Sequence, residues 1–430
     1  AIGGGSTPTV TSSFDGTENP LSDGDAWNSL AENAASGVQT VSGIVRPRGA
    51  GSASNHMRAT PSFGPDQSSK ITVVTRATTA DRFGVGVRYC GNRGYRLESE
   101  DGVADSLILF REDAGTNTQL GATFSVTIAL PDDLKLEANG STLEVFFNGI
   151  SQGTRTDTTY TGGAPSIVLR ASVAVADAEL DDWEGIDLGS GFPYVARRAR
   201  TVGTTLAGGV SLAMPSGIVS GELLLVFASN DATGGTNMGI SGWTEIAQDQ
   251  YTGNVVSHAI FGKIAAGGDT ATLTGASQDF TAAVLRVLDH GVSVLGTDIK
   301  VAGPTETSGS APDSPSLNAG SSKKWLWFSS FGADDDDMEQ RYAPADYGPV
   351  VMHESAASTS STMSAVCARQ LEAQTENPGA MLMSVAEEAT AFTIAIPPAA
   401  AGAISGGPSF FRQTRKIIDA HGVERRAIYA

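Results

Sequence analysis

The sequence predicts an all-β protein in which two antiparallel β-sandwich domains of the jelly-roll kind lie in tandem, followed by a C-terminal docking tail. Three observations support this fold class. Short strand patterns bounded by turn residues recur about every 8–12 residues along most of the chain. No convincing helical periodicity interrupts them. Glycine is abundant, at 51 of 430 residues, and only 17% of residues are charged, below the ~25% typical of globular domains.

The first elements are an arm and a long series of strands. Residues 1–12 are rich in Gly, Ser and Thr and predict an N-terminal arm. Residues 13–188 contain repeated strand patterns separated by turns, which predict the first sandwich. The clearest patterns are KITVVTRA, RFGVGVRYC, GYRLESE, SLILFRE, TLEVFFNG, SIVLRASVAVA and AELDDWEG.

One segment of the first sandwich, from Leu134 to Gly153, contains the dipeptide Asn-Gly twice. Asn-Gly tolerates the positive φ angles that a two-residue hairpin turn requires. Between the two dipeptides, Leu143, Val145 and Phe147 fall on one face at a period of two residues. The segment therefore predicts three antiparallel strands of a half-buried meander.

A second β-rich block follows a boundary that we expect between Gly185 and Tyr194. Residues 193–398 predict the second sandwich, with strand patterns that include ELLLVFASN, VVSHAIFGKIA, KKWLWFSSFGA and TAFTIAIPP. Residues 399–430 predict a hinge of small residues, PPAAAGAISGGPS, that leads into the docking tail.

The tail differs from the rest of the chain in charge. From Arg412 onward it holds five basic and two acidic residues, which is a net charge of +3. Because the whole chain has a net charge of −19, the rest of the chain has a net charge of −22. A basic, apolar tail after a hinge predicts either a strand of the second sandwich or an element that docks on a partner. Our assembly candidates are Phe410, Phe411, Arg412, Arg415, Lys416, Ile417 and Ile418.

Composition excludes several function classes. A net charge of −19 argues against a nucleic-acid partner, which requires clustered Lys and Arg. No run of 18 apolar residues predicts a membrane span, and the first residues carry no pattern of a secretion signal. Two distant cysteines, Cys90 and Cys367, predict no disulfide framework. We expect both thiols to be small buried hydrophobes rather than nucleophiles.

The stretch SSFDGTENPLSDGDAW resembles the opening of concanavalin-like, laminin-G-type sandwich domains of bacteriophage virion proteins, and the order of the later strand patterns is similar too. The resemblance covers about residues 12–188. MPSGIVSGELLLVF followed by SGWTEI resembles a second β-sandwich module of phage structural proteins. The residues that match the first opening are Phe14, Asn19, Pro20, Leu21 and Trp27.

These resemblances imply a virion structural protein made in the host cytoplasm. It would belong to a tail fibre, a tail tip, a capsid decoration or a head fibre, and would act in assembly and surface display. The implied partners are other virion proteins, further copies of the same chain and a host-surface glycan. Sugar rings stack on aromatic side chains, and we expect Tyr342 and Tyr347, in an acidic loop-like stretch, to be the glycan-binding candidates. The tryptophans lie on strand patterns and predict core positions.

The strongest catalytic candidate is ELDDWE, which resembles the catalytic strand of concanavalin-like glycan hydrolases. In those enzymes two carboxylates flank the scissile bond. Glu179 and Asp181 share a strand face, whereas Glu184 joins them only if a bulge intervenes. We expect an exposed acidic face and no enzyme. The alternative is a carbohydrate-active hydrolase that uses Glu179, Asp181 and Glu184.

No motif predicts a metal or a cofactor. The run Asp334–Asp337 offers carboxylate oxygens for Ca²⁺, but it lacks the alternating ligands and the glycine of an EF-hand loop. The five histidines are scattered without metal-ligand spacing. We therefore expect a solvated acidic loop, no bound metal and no cofactor.

Overall fold

The computed structural model describes residues 9–18, 21, 27–28, 37–50, 54–58, 60–78, 80–90, 93–99, 106–189, 191–206, 208–231, 237–253, 255–335, 340–355, 361–383, 385–399, 414–418 and 424–428. The chain forms two compact units, Ala1–Ala399 and Ala400–Ala430. Apart from one 3-10 turn and one four-residue α-helix, the regular structure of the described residues is antiparallel β-sheet. The predicted all-β fold class is confirmed. None of the described helices has the length and apolarity needed to cross a membrane.

The first sandwich is built from the strands that end at or before Asp187. Its strands, with a 3-10 turn at Val175–Asp177, are β1 (Thr9–Ser12), β2 (Trp27–Asn28), β3 (Val38–Val41), β4 (Ile44–Pro47), β5 (Ser54–Arg58), β6 (Gln67–Arg76), β7 (Arg82–Tyr89), β8 (Arg93–Ser99), β9 (Ser106–Asp113), β10 (Thr116–Gln119), β11 (Phe124–Ser125), β12 (Asp132–Asn139), β13 (Thr142–Phe147), β14 (Ile150–Thr156), β15 (Ala164–Arg170) and β16 (Ala178–Asp187).

These strands form two sheets with one core between them. Sheet 1 has the order β14-β13-β12-β6-β16-β4-β3, with β1 also on β16, and sheet 2 has the order β10-β9-β8-β7-β15-β5-β2, with β11 also on β9. Side chains at alternate positions of both sheets meet in one buried cluster, for example Leu136 and Trp183 of sheet 1 with Leu97 and Ile167 of sheet 2. The order in space differs from the order in the chain because strands that follow one another often join opposite sheets.

The predicted meander is present as β12, β13 and β14, although its first turn differs from the expectation. In that turn Asn139 pairs with Thr142, so the central residues are Gly140 and Ser141, and Gly140 takes the positive φ of 56°. In the second turn Asn148 and Gly149 are central, with φ angles of 50° and 76°. The second Asn-Gly therefore forms the expected two-residue turn, and the first contributes only its glycine.

The second block contains the strands after the boundary and one short helix, α1 (Leu295–Asp298). Its strands are β17 (Tyr194–Gly203), β18 (Val210–Ser211), β19 (Leu223–Asp231), β20 (Gly239–Ile240), β21 (Thr244–Gln250), β22 (Val256–Ile264), β23 (Thr272–Thr274), β24 (Phe280–Leu288), β25 (Lys300–Gly309), β26 (Asp313–Ser314), β27 (Leu317–Asp335), β28 (Gln340–Tyr342), β29 (Gly348–Glu354), β30 (Ser361–Glu376), β31 (Gly379–Ala380), β32 (Leu382–Met383) and β33 (Glu387–Ile396).

Two five-stranded sheets form the centre of this block. Sheet 3 has the order β17-β24-β19-β22-β21 and sheet 4 the order β25-β33-β27-β30-β29. Phe227 of sheet 3 packs against Phe328 of sheet 4, with ring centroids 5.6 Å apart. The other face of sheet 3 is covered by a small sheet of β18, β23 and β20, which contributes Leu273 and Ile240. Because sheet 3 is buried on both faces, the first six residues of β19, Leu223 to Ala228, are apolar without alternation.

The outer face of sheet 4 packs against the first sandwich. Trp327 and Cys367 of sheet 4 share a buried cluster with Tyr89, Cys90 and Ala164 of the first sandwich. We call this contact region the junction. Each sheet takes its described strands from one side of residues 188–193. The division into a domain 13–188 and a domain 193–398 that fold as separate units stays a prediction.

The unit Ala400–Ala430 contains a two-stranded hairpin of β34 (Thr414–Ile418) and β35 (Glu424–Ile428). Lys416 pairs with Arg426 across the ladder. Arg415, Lys416, Ile417 and Ile418, four of the assembly candidates, lie on β34. The other three, Phe410, Phe411 and Arg412, lie outside the described residues.

Candidate functional site: the junction of the two sandwiches

Arg88 forms the first half of the junction. It is the next-to-last residue of β7 and has a left-handed backbone conformation, with a φ of 51°. Its side chain is buried. Its Nε donates to the carbonyl of Pro65 at 2.6 Å, and its two terminal nitrogens donate to the carbonyls of Tyr160 at 3.1 Å and Gly140 at 2.7 Å. The acidic partner is Asp66, at 3.4 Å. Arg88 thereby fixes three loops of the first sandwich at the surface that meets sheet 4.

Asp346 and Arg369 connect this surface to the second sandwich. Asp346 accepts hydrogen bonds from the backbone N–H of Thr161 at 2.7 Å and from its hydroxyl at 3.0 Å. Arg369 of β30 donates to Asp346 at 3.2 Å and to the Thr161 hydroxyl at 3.0 Å. Its other terminal nitrogen lies 2.9 Å from a carboxylate oxygen of Glu376. A charge-assisted network therefore crosses the junction beside its apolar part.

The backbones of the two sandwiches come very close at Gly162 and Gly163. A Cβ atom on Gly162 would collide with the backbone carbonyl of Asp346, and Gly163 has a φ of 124° that side-chain-bearing residues rarely adopt. The sequence signal for this contact is the Gly-Gly pair in YTGGAPS, which we did not interpret as a contact point.

A second polar cluster lies beside Thr161, at the end of the first sandwich. Arg111 contacts Asp113 and Asp157, each at 2.9 Å, and the hydroxyls of Tyr95 and Tyr160 donate to Asp157 at 2.7 Å and Asp113 at 2.5 Å. Desolvation acts to raise the pKa of Asp113. The hydrogen bonds that Tyr160 and Arg111 donate to its carboxylate outweigh this effect and lower the pKa. The carboxylates already have protein partners, so the cluster mainly orders the loop that leads into the junction.

The glycan-binding candidates have different positions. Tyr347 is fully buried in the junction, and its hydroxyl donates to Glu376 at 3.3 Å. Its ring cannot stack on a sugar, so this candidate was wrong. The acidic surroundings in the sequence indicated a loop, whereas the loop packs against sheet 4. Tyr342 ends β28, which pairs with β32, and glycan binding by Tyr342 stays a prediction.

Three carboxylates of ELDDWE, those of Glu179, Asp181 and Glu184, lie on one face of β16. The ladder to β6 is irregular between Asp181 and Glu184, and Asp182 between them has a φ of 49°. This bulge turns Trp183 into the core and places Glu179, Asp181 and Glu184 on the opposite, half-buried face. The three carboxylates are not among the described acidic groups that lie within 4.8 Å of one another.

The environments of these carboxylates differ. Desolvation and the neighbouring charges of Asp182 and Asp15 raise the pKa of Asp181, although the N–H of Asp182 donates to it. Glu179 accepts a hydrogen bond from the hydroxyl of Thr75 at 2.9 Å. The bulge that the catalytic interpretation required is thus present between Asp181 and Glu184.

The acidic run at Asp334 meets acidic residues from another strand. Among the described residues, Asp334, Glu387 and Glu388 bring three carboxylate oxygens within 4.8 Å of one another. The sequence contains no signal for Glu387 and Glu388, because these residues reach Asp334 only through the pairing of β27 with β33. Such acidic groups are common on protein surfaces without a bound ion.

Comparison with known proteins gives no family. No family model and no curated protein matches the chain. Among solved structures, the carbohydrate binding module CBM66 from Bacillus subtilis is similar, with 15% identity and a TM-score of 0.30 over 38% of this chain and 95% of that one. The exoplasmic/lumenal domain of VIP36, in a form bound to Ca²⁺ and Man₃GlcNAc, has 10% identity and a TM-score of 0.31 over 42% and 89%.

A third similar structure is LamA_E269S from Z. galactanivorans in complex with laminaritriose and laminaritetraose. It has 13% identity and a TM-score of 0.27 over 41% of this chain and 95% of that one. At such identities and scores the likeness says nothing about function, which has to be argued from the residues of this chain.

Proposed function

We propose that this chain is a structural protein of a bacteriophage virion that acts in assembly and surface display, with the C-terminal hairpin as its attachment element. The observation that carries the proposal is the separate hairpin unit formed by β34 and β35. A lone two-stranded hairpin is marginally stable in water. It therefore needs a neighbour, and a repeating particle supplies one.

Charge supports an attachment role. The tail carries a net +3, whereas the rest of the chain carries −22. Its strands contain Arg415, Lys416, Arg425 and Arg426 against a single acidic residue, Glu424. The basic hairpin would attract an acidic neighbour, such as another copy of this chain, through their opposite charges.

Truncation after Gly407 tests the proposal. The shortened chain is expected to keep the melting temperature of the full chain, because unit Ala1–Ala399 keeps all its sheets. It is expected to lose assembly into oligomers or particles, measured by light scattering and by incorporation into virions. A full-length variant with reversed charges at Arg415 and Lys416 is the matched comparison, and it is expected to lose assembly in the same way. Normal incorporation of both proteins would refute the attachment role.

We also propose that the displayed surface binds a host glycan. With Tyr347 buried, Tyr342 is the remaining candidate among our two. Replacing Tyr342 by Ala is expected to reduce binding to a glycan array, while Tyr251→Ala, at a half-buried tyrosine of the second sandwich, leaves binding unchanged. Equal binding by Tyr342→Ala and the wild type would exclude this tyrosine from the glycan site.

The hydrolase alternative is favoured by one observation, the bulge that aligns Glu179, Asp181 and Glu184. Retaining glycosidases need carboxylates about 5 Å apart, and inverting enzymes need about 6.5–9.5 Å. We expect no release of reducing ends from a glycan panel. Turnover that disappears in Glu179→Gln but persists in Glu144→Gln, on β13 of the same sheet, would instead establish the hydrolase.

A further inference from the structure

The two cysteines of the chain come from different sandwiches and lie in the same buried cluster. Cys90 directly follows β7 of the first sandwich, and Cys367 lies in the middle of β30 of the second. Neither forms a disulfide in this structure, and both are buried. Both belong to the apolar cluster of the junction. From the sequence, their separation had indicated two unrelated thiols.

A short path of contacts leads from one cysteine to the other. Ala164 pairs with the residue before Cys90. A methyl group on Gly348 would lie 3.7 Å from the Cβ of Ala164, so the two sandwiches are in contact at this point. Gly348 in turn pairs with Ala368, the residue after Cys367.

The environment of Cys90 places its sulfur near the second sandwich. The backbone N–H of Ala343 donates a hydrogen bond to the Cys90 sulfur. Burial raises the pKa of the Cys90 thiol well above its usual value, and a charge on Cys367 raises it further. Both cysteines therefore belong to the contact region between the two sandwiches.

We propose that Cys90 and Cys367 form an intramolecular disulfide that closes the junction covalently when the protein meets an oxidising environment. The proposal does not depend on the virion function. The oxidant is a small-molecule disulfide such as oxidised glutathione. One protein thiolate attacks it, forms a mixed disulfide and releases one reduced thiol. The second protein thiolate then displaces the other. Two protein thiols are oxidised, and one disulfide is reduced to two thiols.

Burial determines when this reaction can occur. A buried thiol with a raised pKa exchanges slowly because the thiolate is the reactive species. Exchange is therefore expected mainly while the junction is open, during folding or in mild denaturant. After closure the same burial protects the cross-link from reduction.

The test uses the full chain refolded from urea with reduced and oxidised glutathione. The number of free thiols, measured in denaturant, is expected to fall from two to zero, with the chain monomeric and lighter by two hydrogens. The oxidised protein is expected to unfold at higher urea than the reduced one, because the cross-link restricts the unfolded chain. Cys90→Ser and Cys367→Ser are matched controls, each of which keeps one thiol and loses the stabilisation.

Three outcomes would overturn the proposal. The wild type could keep two free thiols, carry two glutathione adducts, or form cross-links between chains. Each outcome would mean that the two sulfurs do not reach disulfide geometry, which requires Cα atoms about 4.4–6.8 Å apart. The thiol count of the wild type decides the question even where a serine variant folds poorly.

Discussion

His258 is a histidine held neutral inside the second sandwich. Its two ring nitrogens lie 3.0 Å from the Ser229 hydroxyl and 3.2 Å from the Ser330 hydroxyl, and its ring lies against Phe392. Complete burial lowers its pKa to about 3 from the ordinary 6.5. The two serines supply hydrogen bonds that suit the neutral ring, while no charged partner is near enough to compensate for protonation among the contacts described.

This burial predicts an acid-sensitive fold. Because the folded-state pKa lies below the unfolded value, the contribution of His258 is complete above pH 6.5 and is lost as the pH falls toward 3. The loss approaches about 1.4 kcal/mol per pH unit within that window. Urea unfolding between pH 7 and pH 4.5 is expected to show a shallower decline in His258→Asn than in the wild type. Equal slopes for the two proteins would mean that folding does not lower the pKa of His258.

Asp187 is a control for His258, because the effect of its pKa shift on acid stability has the opposite sign. It is buried and accepts hydrogen bonds from the N–H groups of Gly64 and Gly189, yet burial raises its pKa to about 6. A raised carboxyl pKa adds stability as the pH falls from 6 to 3.8. Asp187→Asn is therefore expected to make the acid loss steeper, whereas His258→Asn makes it shallower.

The hairpin turn between β13 and β14 depends on backbone conformations that glycine adopts easily. The turn at Asn148 and Gly149 requires two left-handed residues in sequence, and no atom would touch a Cβ on Gly149. Replacing Gly149 by Ala is therefore expected to cost about 1 kcal/mol through the backbone alone. The measurement is the free energy of unfolding in urea.

Gly296 is the matched glycine for this measurement. A Cβ there also meets no atom, but its φ is not in the left-handed region and it lies in α1. Gly296→Ala is expected to be neutral or slightly stabilising. A similar loss in both variants would show that the cost at Gly149 is not conformational.

The sequence was informative about strands and less informative about how they meet. Alternation predicted the core positions of β12 and β13, and Trp27, Trp183, Trp325 and Trp327 are buried as expected. Trp243, for which a core position was also expected, is only half-buried because it lies in the bend before β21. Tyr347 was misplaced because its neighbours in the chain are polar, while its neighbours in space belong to sheet 4. The junction residues Arg88 and Arg369 were missed for the same reason: their partners are distant in the chain.

On the scale of the whole molecule, the two sandwiches share buried surface. The Trp325 and Trp327 side of sheet 4 is covered partly by Tyr89, Cys90 and Ala164 of the first sandwich. A fragment 192–405 would expose this surface. We still expect fragments 1–188 and 192–405 each to have β-type circular dichroism and to melt cooperatively.

The shared surface adds an expectation for the second fragment. Fragment 192–405 should bind a hydrophobic dye and melt below the intact chain, and addition of fragment 1–188 should reverse both effects. If fragment 192–405 is unfolded alone, the two sandwiches are one folding unit. If it melts like the intact chain, the junction contributes little to stability.

The length of β27 has a mechanical consequence. Residues 323–335 pair without interruption with 361–373 of β30, and much of β27 also pairs with β33 on its other side. A pull along β27 would load all these backbone hydrogen bonds together, because the bonds of an antiparallel ladder lie across the strand. A pull across the sheet would break them one at a time. We expect single-molecule stretching to give a much higher rupture force when β27 is drawn lengthwise than when it is peeled sideways.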